Sequence, residues 1–128
     1  MKKDFKNWHN KKTSIDNIPE RPFFHEKEIW FCYLGVNVGF EQDGMGEDFL
    51  RPVVVVKKFN DQIFWGLPLT RSKRTGKYYF AFQFDGKESK VILSQIKLID
   101  AKRLSYFIGE MSEKDFNELK EKIKQLLA

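Results

Sequence analysis

A chain of 128 residues, 41% hydrophobic and 16% aromatic, is long enough to bury one core and too apolar to be generally disordered. Its single cysteine excludes an internal disulfide. No apolar run reaches the roughly twenty residues that cross a bilayer, and the start lacks a signal-peptide pattern, so a cytoplasmic protein with no membrane partner is expected. A net charge of +5 and a pI of about 9.3 favour an anionic partner without naming one.

Residues 1–25 read as a basic N-terminal extension. Up to about Asn17 it is lysine-rich, and Phe5, Trp8 and Ile15 are spaced to share one face of a short helix. Such a helix either packs on the domain through Trp8 or serves as an arm for RNA. Pro19 and Pro22 end it, and Asn17 to His25 reads as a linker. The main domain, 26–128, then opens with a strand over Glu28–Leu34, apolar or aromatic on both faces.

Gly35 to Leu50 is a long loop with four glycines and the acids Glu41, Asp43, Glu47 and Asp48. The ligand alternation of a calcium loop is missing, so a solvated lid is expected. Arg51-Pro52 opens a strand of valines over Val53–Lys57, a position where proline need not donate to the ladder. Asn60-Asp61 turns the chain, and Gln62–Leu67 returns as the partner strand, with Pro68 and Thr70 marking its end. A basic loop follows from Arg71 to Lys77.

Tyr78 to Phe84 alternates, with Tyr78, Phe80, Phe82 and Phe84 on one face. Asp85-Gly86 is a two-residue hairpin turn, Lys90–Leu98 the returning strand, and Leu104–Ile108 one more short strand. The end is a helix. Ser112 is its cap, Met111 and Phe116 form a hydrophobic staple, and Phe116, Leu119, Ile123, Leu126 and Leu127 share the face that covers the sheet.

Few residues can carry chemistry. Cys32, His9 and His25 are too few and too scattered for a zinc site, so no metal is expected; both histidines read as surface or packing residues. Cys32 reads as a small buried hydrophobe, and no phosphate-cradling loop enters a helix. Arg51 has two readings. It is either a surface ion pair with Glu41, Glu47 or Asp48, or a permanent planar charge suited to a phosphate and to the charge that builds on phosphorus during transfer. If the strands that follow Arg51 and precede Thr70 are neighbours, guanidinium and hydroxyl converge on one pocket.

Several short pieces, in common order over about four-fifths of the chain, carry a family likeness. They are GluIleTrp at 28–30, GlyPheGluGlnAspGly at 39–44, ArgProValValValVal at 51–56, LeuProLeuThr at 67–70, SerGlnIleLysLeuIleAsp at 94–100 and the 104–109 segment. In these the chain resembles the MazF/PemK toxins, endoribonucleases of type II toxin-antitoxin pairs. The resemblance implies a mainly β fold, a small SH3-like barrel of the CcdB/MazF kind closed by a C-terminal helix. It also implies a homodimer, a single-stranded RNA (mRNA) substrate, an acidic antitoxin partner, and no cofactor.

By the same resemblance Arg51 and Thr70 match the catalytic pair. The RNA 2′-hydroxyl would attack the adjacent phosphate without a metal, Arg51 would stabilise the phosphorane and Thr70 would position the phosphate. Ser94 stands where relatives often carry an aspartate proposed as base, so an arginine–threonine mechanism is the one expected. Gln42, Arg71, Lys73, Arg74, Lys77 and Gln95 are the expected RNA-binding residues, and Glu41 a loop or regulatory partner of Arg51. Trp65 and Phe40 either stack bases or belong to the core or dimer interface. The alternatives are a non-catalytic binding protein like CcdB, a topoisomerase inhibitor, and a general RNA-binding barrel.

Overall fold

A computed structural model of the protein describes residues 21–34 and 50–128. The strands are β1 (Glu28–Tyr33), β2 (Leu50–Lys58), β3 (Ile63–Thr70), β4 (Tyr79–Phe84), β5 (Lys87–Ile92), β6 (Lys97–Asp100) and β7 (Leu104–Glu110), followed by helix α1 (Glu113–Leu127). They form one seven-stranded sheet in the order β4-β5-β3-β2-β1-β7, with β6 beside β3, and each described pairing is antiparallel. The mainly β architecture with a C-terminal helix is the one expected. The anticipated N-terminal helix and the Gly35–Leu50 lid, apart from Leu50 at the start of β2, lie outside the described residues.

Strand β2 holds the sheet together because it is buried on both faces. Val54 and Val56 pack with Ile29, Leu67, Phe82 and Phe116, whereas Val53 and Val55 pack with Trp30, Phe64, Ile99 and Leu104. Four consecutive β-branched residues suit a strand covered on both sides better than an amphipathic helix or an edge strand. The sheet also curls. A Cβ placed on Gly109 of β7 would lie 2.9 Å from the Phe84 ring of β4, so the two ends of the strand order meet. Barrel-like closure of this kind covers what would otherwise be exposed sheet edges.

Local sequence explains the turns and the cap. Asp85 and Gly86 both have positive φ, 53° and 74°, as a tight primed hairpin turn requires. Asn60 Oδ1 accepts from the amides of Gln62 and Ile63, at 2.7 and 3.0 Å, and so builds the turn between β2 and β3. Ser112 Oγ accepts from the Asp115 amide at 3.1 Å and starts α1, while Met111 and Phe116 join the same core cluster.

Four elements differ from expectation. Strand β3 runs through Pro68 to Thr70 instead of ending near Leu67: β6 pairs with Ile63–Gly66 and β5 with Leu69–Thr70, so Pro68 falls where that edge changes partner and a missing donor costs least. The expected Lys90–Leu98 strand is two strands separated by a 3₁₀ turn at Leu93–Gln95. Val91, Ile92 and Leu93 are all buried, a run without the period of a one-faced strand, and the chain bends there to pair with the other half of β3. The last strand is longer than Leu104–Ile108, extending to Glu110. On α1, Phe116 and Leu119 are buried and Ile123 packs on the core, but Leu126 and Leu127 are exposed, the latter at 83%.

Residues 21–25, the described part of the expected linker, are fastened to the domain. Phe24 is buried against Phe64, and Lys58 Nζ donates to the Phe24 carbonyl at 2.8 Å. Arg21 grips Asp100 through two hydrogen bonds, 2.9 and 3.1 Å. That grip, opposed by partial burial and helped by the Lys102 amide, holds the Asp100 carboxyl below its usual range. A depressed pKa contributes stability that is present above the unfolded value and lost as pH falls through the folded one.

Thermal melts should therefore show Asp100→Asn less stable than the native chain near neutral pH, with the gap closing as acid titrates Asp100. Gly66→Ala should destabilise by about 1–3 kcal/mol in urea titrations. Its Cβ would lie 2.7 Å from Val53 Cγ1 and 2.8 Å from Ile99 Cδ1, inside a core that has no slack.

Candidate functional site

Arg51 is 5% exposed, in the middle of the sheet, where Cys32 of β1 is its cross-strand neighbour. That burial departs from the reading of Arg51 as a surface residue, while Glu41, Glu47 and Asp48 lie outside the described residues. A guanidinium cannot shed its charge, so burial requires partners. One of them is the Leu69 carbonyl, one residue before Thr70, to which Arg51 Nη2 donates at 2.9 Å. Strands β2 and β3 pair Val53 with Pro68 and Val54 with Leu67, and the same register continued by two residues sets Arg51 opposite Thr70.

Both residues line one cleft of about 730 Å³. Phe31, Pro52, Leu69 and Ile108 make its apolar wall, and Arg71, Ser72, Asp85 and Ser89 join Arg51 and Thr70 on the polar side. A volume of that order suits a nucleotide-sized group, with apolar surface for a flat ring and a few polar groups for orientation. Thr70 Oγ1 accepts from the Ser72 amide at 3.1 Å. A hydroxyl that uses a lone pair in this way keeps its own proton to donate.

The other expected residues divide by position. Arg71 lines the cleft, whereas Lys73, Arg74 and Lys77 are exposed along the loop that follows it. Lys77 Nζ lies 5.1 Å from the centroid of the Tyr78 ring. Gln95 is in the 3₁₀ turn after β5; the neighbouring Leu93 amide donates to the Tyr78 carbonyl at 2.8 Å, which sets Gln95 at the root of the basic loop and away from the cleft wall. Trp65 is 44% exposed and meets Phe59 edge-on at 4.9 Å, so it is not a core residue. Phe40, Glu41, Gln42, Glu47 and Asp48 lie outside the described residues.

Two contributors had no signal in the sequence. Asp85 reads there as a turn residue, yet its hairpin brings it to the rim of the cleft. Lys90 reads there only as the start of a strand, yet it is 7% exposed, pairs with Thr70 across β3 and β5, and donates to the Arg74 carbonyl at 2.6 Å. Only the register of β5 against β3 reveals either role.

Among the described residues no three His, Cys, Asp or Glu side chains gather as a metal would need. His25 is exposed and sits 3.3 Å from Glu28. Burial pushes the Cys32 thiol up to about 12, against a smaller pull from the Arg103 charge.

The curled antiparallel sheet and its closing helix define a small β-barrel of the MazF type. Similar solved structures include MazF from Deinococcus radiodurans, with TM-score 0.66 and 16% identity over 84% of this chain and 97% of that one. A mycobacterial endoribonuclease solved with its cognate antitoxin gives TM-score 0.62 at 14% identity, covering 82% and 95%. A MazF toxin of Mycobacterium tuberculosis gives 0.60 at 17% identity, covering 78% and 95%. At such identities these likenesses show the fold. The family profile described as PemK-like, MazF-like toxin of type II toxin-antitoxin systems matches residues 25–127. The chain belongs to that family. No curated protein sequence matches it.

A thiol whose pKa is held at about 12 has almost no thiolate at pH 8. Cys32 should therefore resist a disulfide-exchange reagent in the native protein and react fully once denaturant unfolds the sheet, as followed by absorbance of the released thiolate.

Proposed function

We propose that this chain is the toxin of a type II toxin-antitoxin pair and a metal-independent endoribonuclease acting on single-stranded RNA. The observation that carries the reading is the bond from Arg51 to the Leu69 carbonyl, which fixes a permanent positive charge beside Thr70 in one cleft. Family membership supports the toxin role, and the endoribonucleases among the similar structures support the activity.

In this mechanism a phosphate of the RNA enters the cleft with its 2′-hydroxyl in line with the bond to the 5′-oxygen. The 2′-oxygen attacks phosphorus, the bond to the 5′-oxygen breaks, and a 2′,3′-cyclic phosphate and a 5′-hydroxyl result. The proton lost at the 2′-position is balanced by one gained at the 5′-oxygen, so no water is consumed. Arg51 neutralises the charge that accumulates on the non-bridging oxygens, and Thr70 donates its hydroxyl proton to the same phosphate. Internal attack needs no activated water, which removes one of the main tasks a metal performs in nucleases.

Around this centre Arg71, Lys73, Arg74 and Lys77 track the neighbouring phosphates. Gln42 and Gln95 would hydrogen-bond bases or hold their loops, Trp65 would offer a stacking face, and Glu41 would act as a loop or regulatory partner of Arg51. An acidic, extended segment of the antitoxin would cover the same cationic surface. A homodimer would bury apolar surface such as Leu98, Tyr106 and Phe107, each more than half exposed.

Purified protein should cleave several single-stranded RNAs in excess EDTA, leaving ends that resist ligation until the cyclic phosphate is opened and removed and the 5′-hydroxyl is phosphorylated. Arg51→Ala should lower kcat/KM by about 10²–10³, the usual loss for one preorganised donor, and Thr70→Ala by less. RNA bound but left intact on a gel would instead identify a non-catalytic binding barrel. Activity insensitive to Arg51→Ala would overturn the assignment of this cleft.

A further inference from the structure

A chain of hydrogen bonds runs away from Thr70 through the basic loop and ends on Lys90. Thr70 Oγ1 accepts from the Ser72 amide at 3.1 Å. Ser72 Oγ accepts from the Arg74 amide at 3.2 Å, and the Arg74 carbonyl accepts from Lys90 Nζ at 2.6 Å. Lys90 is also the cross-strand neighbour of Thr70. The loop therefore leaves β3 at Thr70, folds back through two side-chain turns, and is tied down on the strand beside its starting point.

The anchor is not an ordinary surface lysine. Its side chain is 8% exposed, and the nearest carboxylate oxygen, on the more exposed Glu88, is 3.9 Å away. An ammonium withdrawn from water needs strong compensating contacts, and the shortest of these is the bond to the Arg74 carbonyl. The exposed guanidinium of Arg71 and ammonium of Lys73 lie between the two ends of this chain. The backbone that carries them is thus held at one end by Thr70 and at the other by Lys90.

We propose that Lys90 is a positioning residue for RNA cleavage: through Arg74 and Ser72 it fixes both the Thr70 hydroxyl and the path of the basic loop. The proposal rests on the reading of the Arg51–Thr70 cleft as the cleavage site. Lys90 touches no reacting atom. Its effect passes through the loop backbone, so it should act on turnover and on choice of cleavage site more than on overall affinity.

The test uses the full chain and a single-stranded RNA in EDTA, with Lys90→Met, Lys90→Arg and the pair Lys90→Met with Thr70→Ala. Lys90→Met keeps the length and removes the donor. It should lower kcat about 10- to 100-fold, as misplacement of a positioned group by an ångström does, with a much smaller change in KM. Lys90→Arg should recover most of the loss. In the Thr70→Ala background, Lys90→Met should cost clearly less than it does alone, because the part of its effect that passes through the Thr70 hydroxyl is already lost. Amide hydrogen exchange adds a readout independent of activity: Ser72 and Arg74 should exchange faster in Lys90→Met while amides in β2 and α1 keep their protection.

Wild-type exchange at Ser72 and Arg74 in a folded Lys90→Met chain would overturn the proposal, as would additive losses in the double variant. If Lys90→Met does not fold, Ser72→Ala breaks the middle of the same chain and must give the same turnover loss and the same faster exchange at Arg74, or the proposal falls. A native chain that cleaves while Lys90→Met cleaves equally well sinks this inference and leaves the cleft assignment standing. A native chain that cleaves nothing sinks the cleft assignment and, with it, the role of Lys90 in cleavage.

Discussion

The structure turns on a charge that cannot be neutralised, kept almost out of water. Arg51 sits on the strand that every other part of the sheet depends on, and the Leu69 carbonyl accepts from it. That bond links the central pair β2–β3 at the end where β3 finishes and the basic loop begins. Strand pairing supplies the register, the register supplies the donor, and the donor fixes where a phosphate would meet positive charge in the proposed reaction. A lysine at the same place would offer a point charge without the planar fork.

Much of this was legible before coordinates. The valine run, the Asp85-Gly86 turn, the alternating aromatics of β4 and the capped final helix each state one local preference, and the fold honours all of them. What escaped were places where a local signal has two tertiary solutions. The segment from Lys90 to Leu98 is apolar enough for one strand, but only the choice of two partners on β3 forces the bend at Leu93–Gln95. Pro68 reads as a stop, and it is tolerated because two different strands cover β3 on either side of it. The apolar stripe of α1 outruns the core, so Leu126 is only partly covered and Leu127 stands 83% exposed among the described residues.

The site divides in the same way. Arg51 and Thr70 were legible because family likeness and strand order agree on them, and the structure brings both to one cleft. The burial of Arg51 was not legible, since an Arg-Pro pair after an acidic loop looks like surface. Lys90 was invisible for a simpler reason: the sequence marks it only as the start of a returning strand, and nothing there says that it lies beneath a loop whose start is a neighbouring strand. Residues that act through backbone carbonyls leave no pattern, because any sequence supplies the carbonyl.

One consequence follows from β2 being packed on both of its faces. Two cores share a single backbone, so neither can relax alone, and the guanidinium rides on that shared spine. Robustness and reactivity are then one inherited trait: a substitution that loosens packing anywhere along the valines also shifts the charge on which the proposed chemistry relies. Tuning such a protein to be less harmful without being less sturdy must happen at its rim, in the loops, where the spine is not involved.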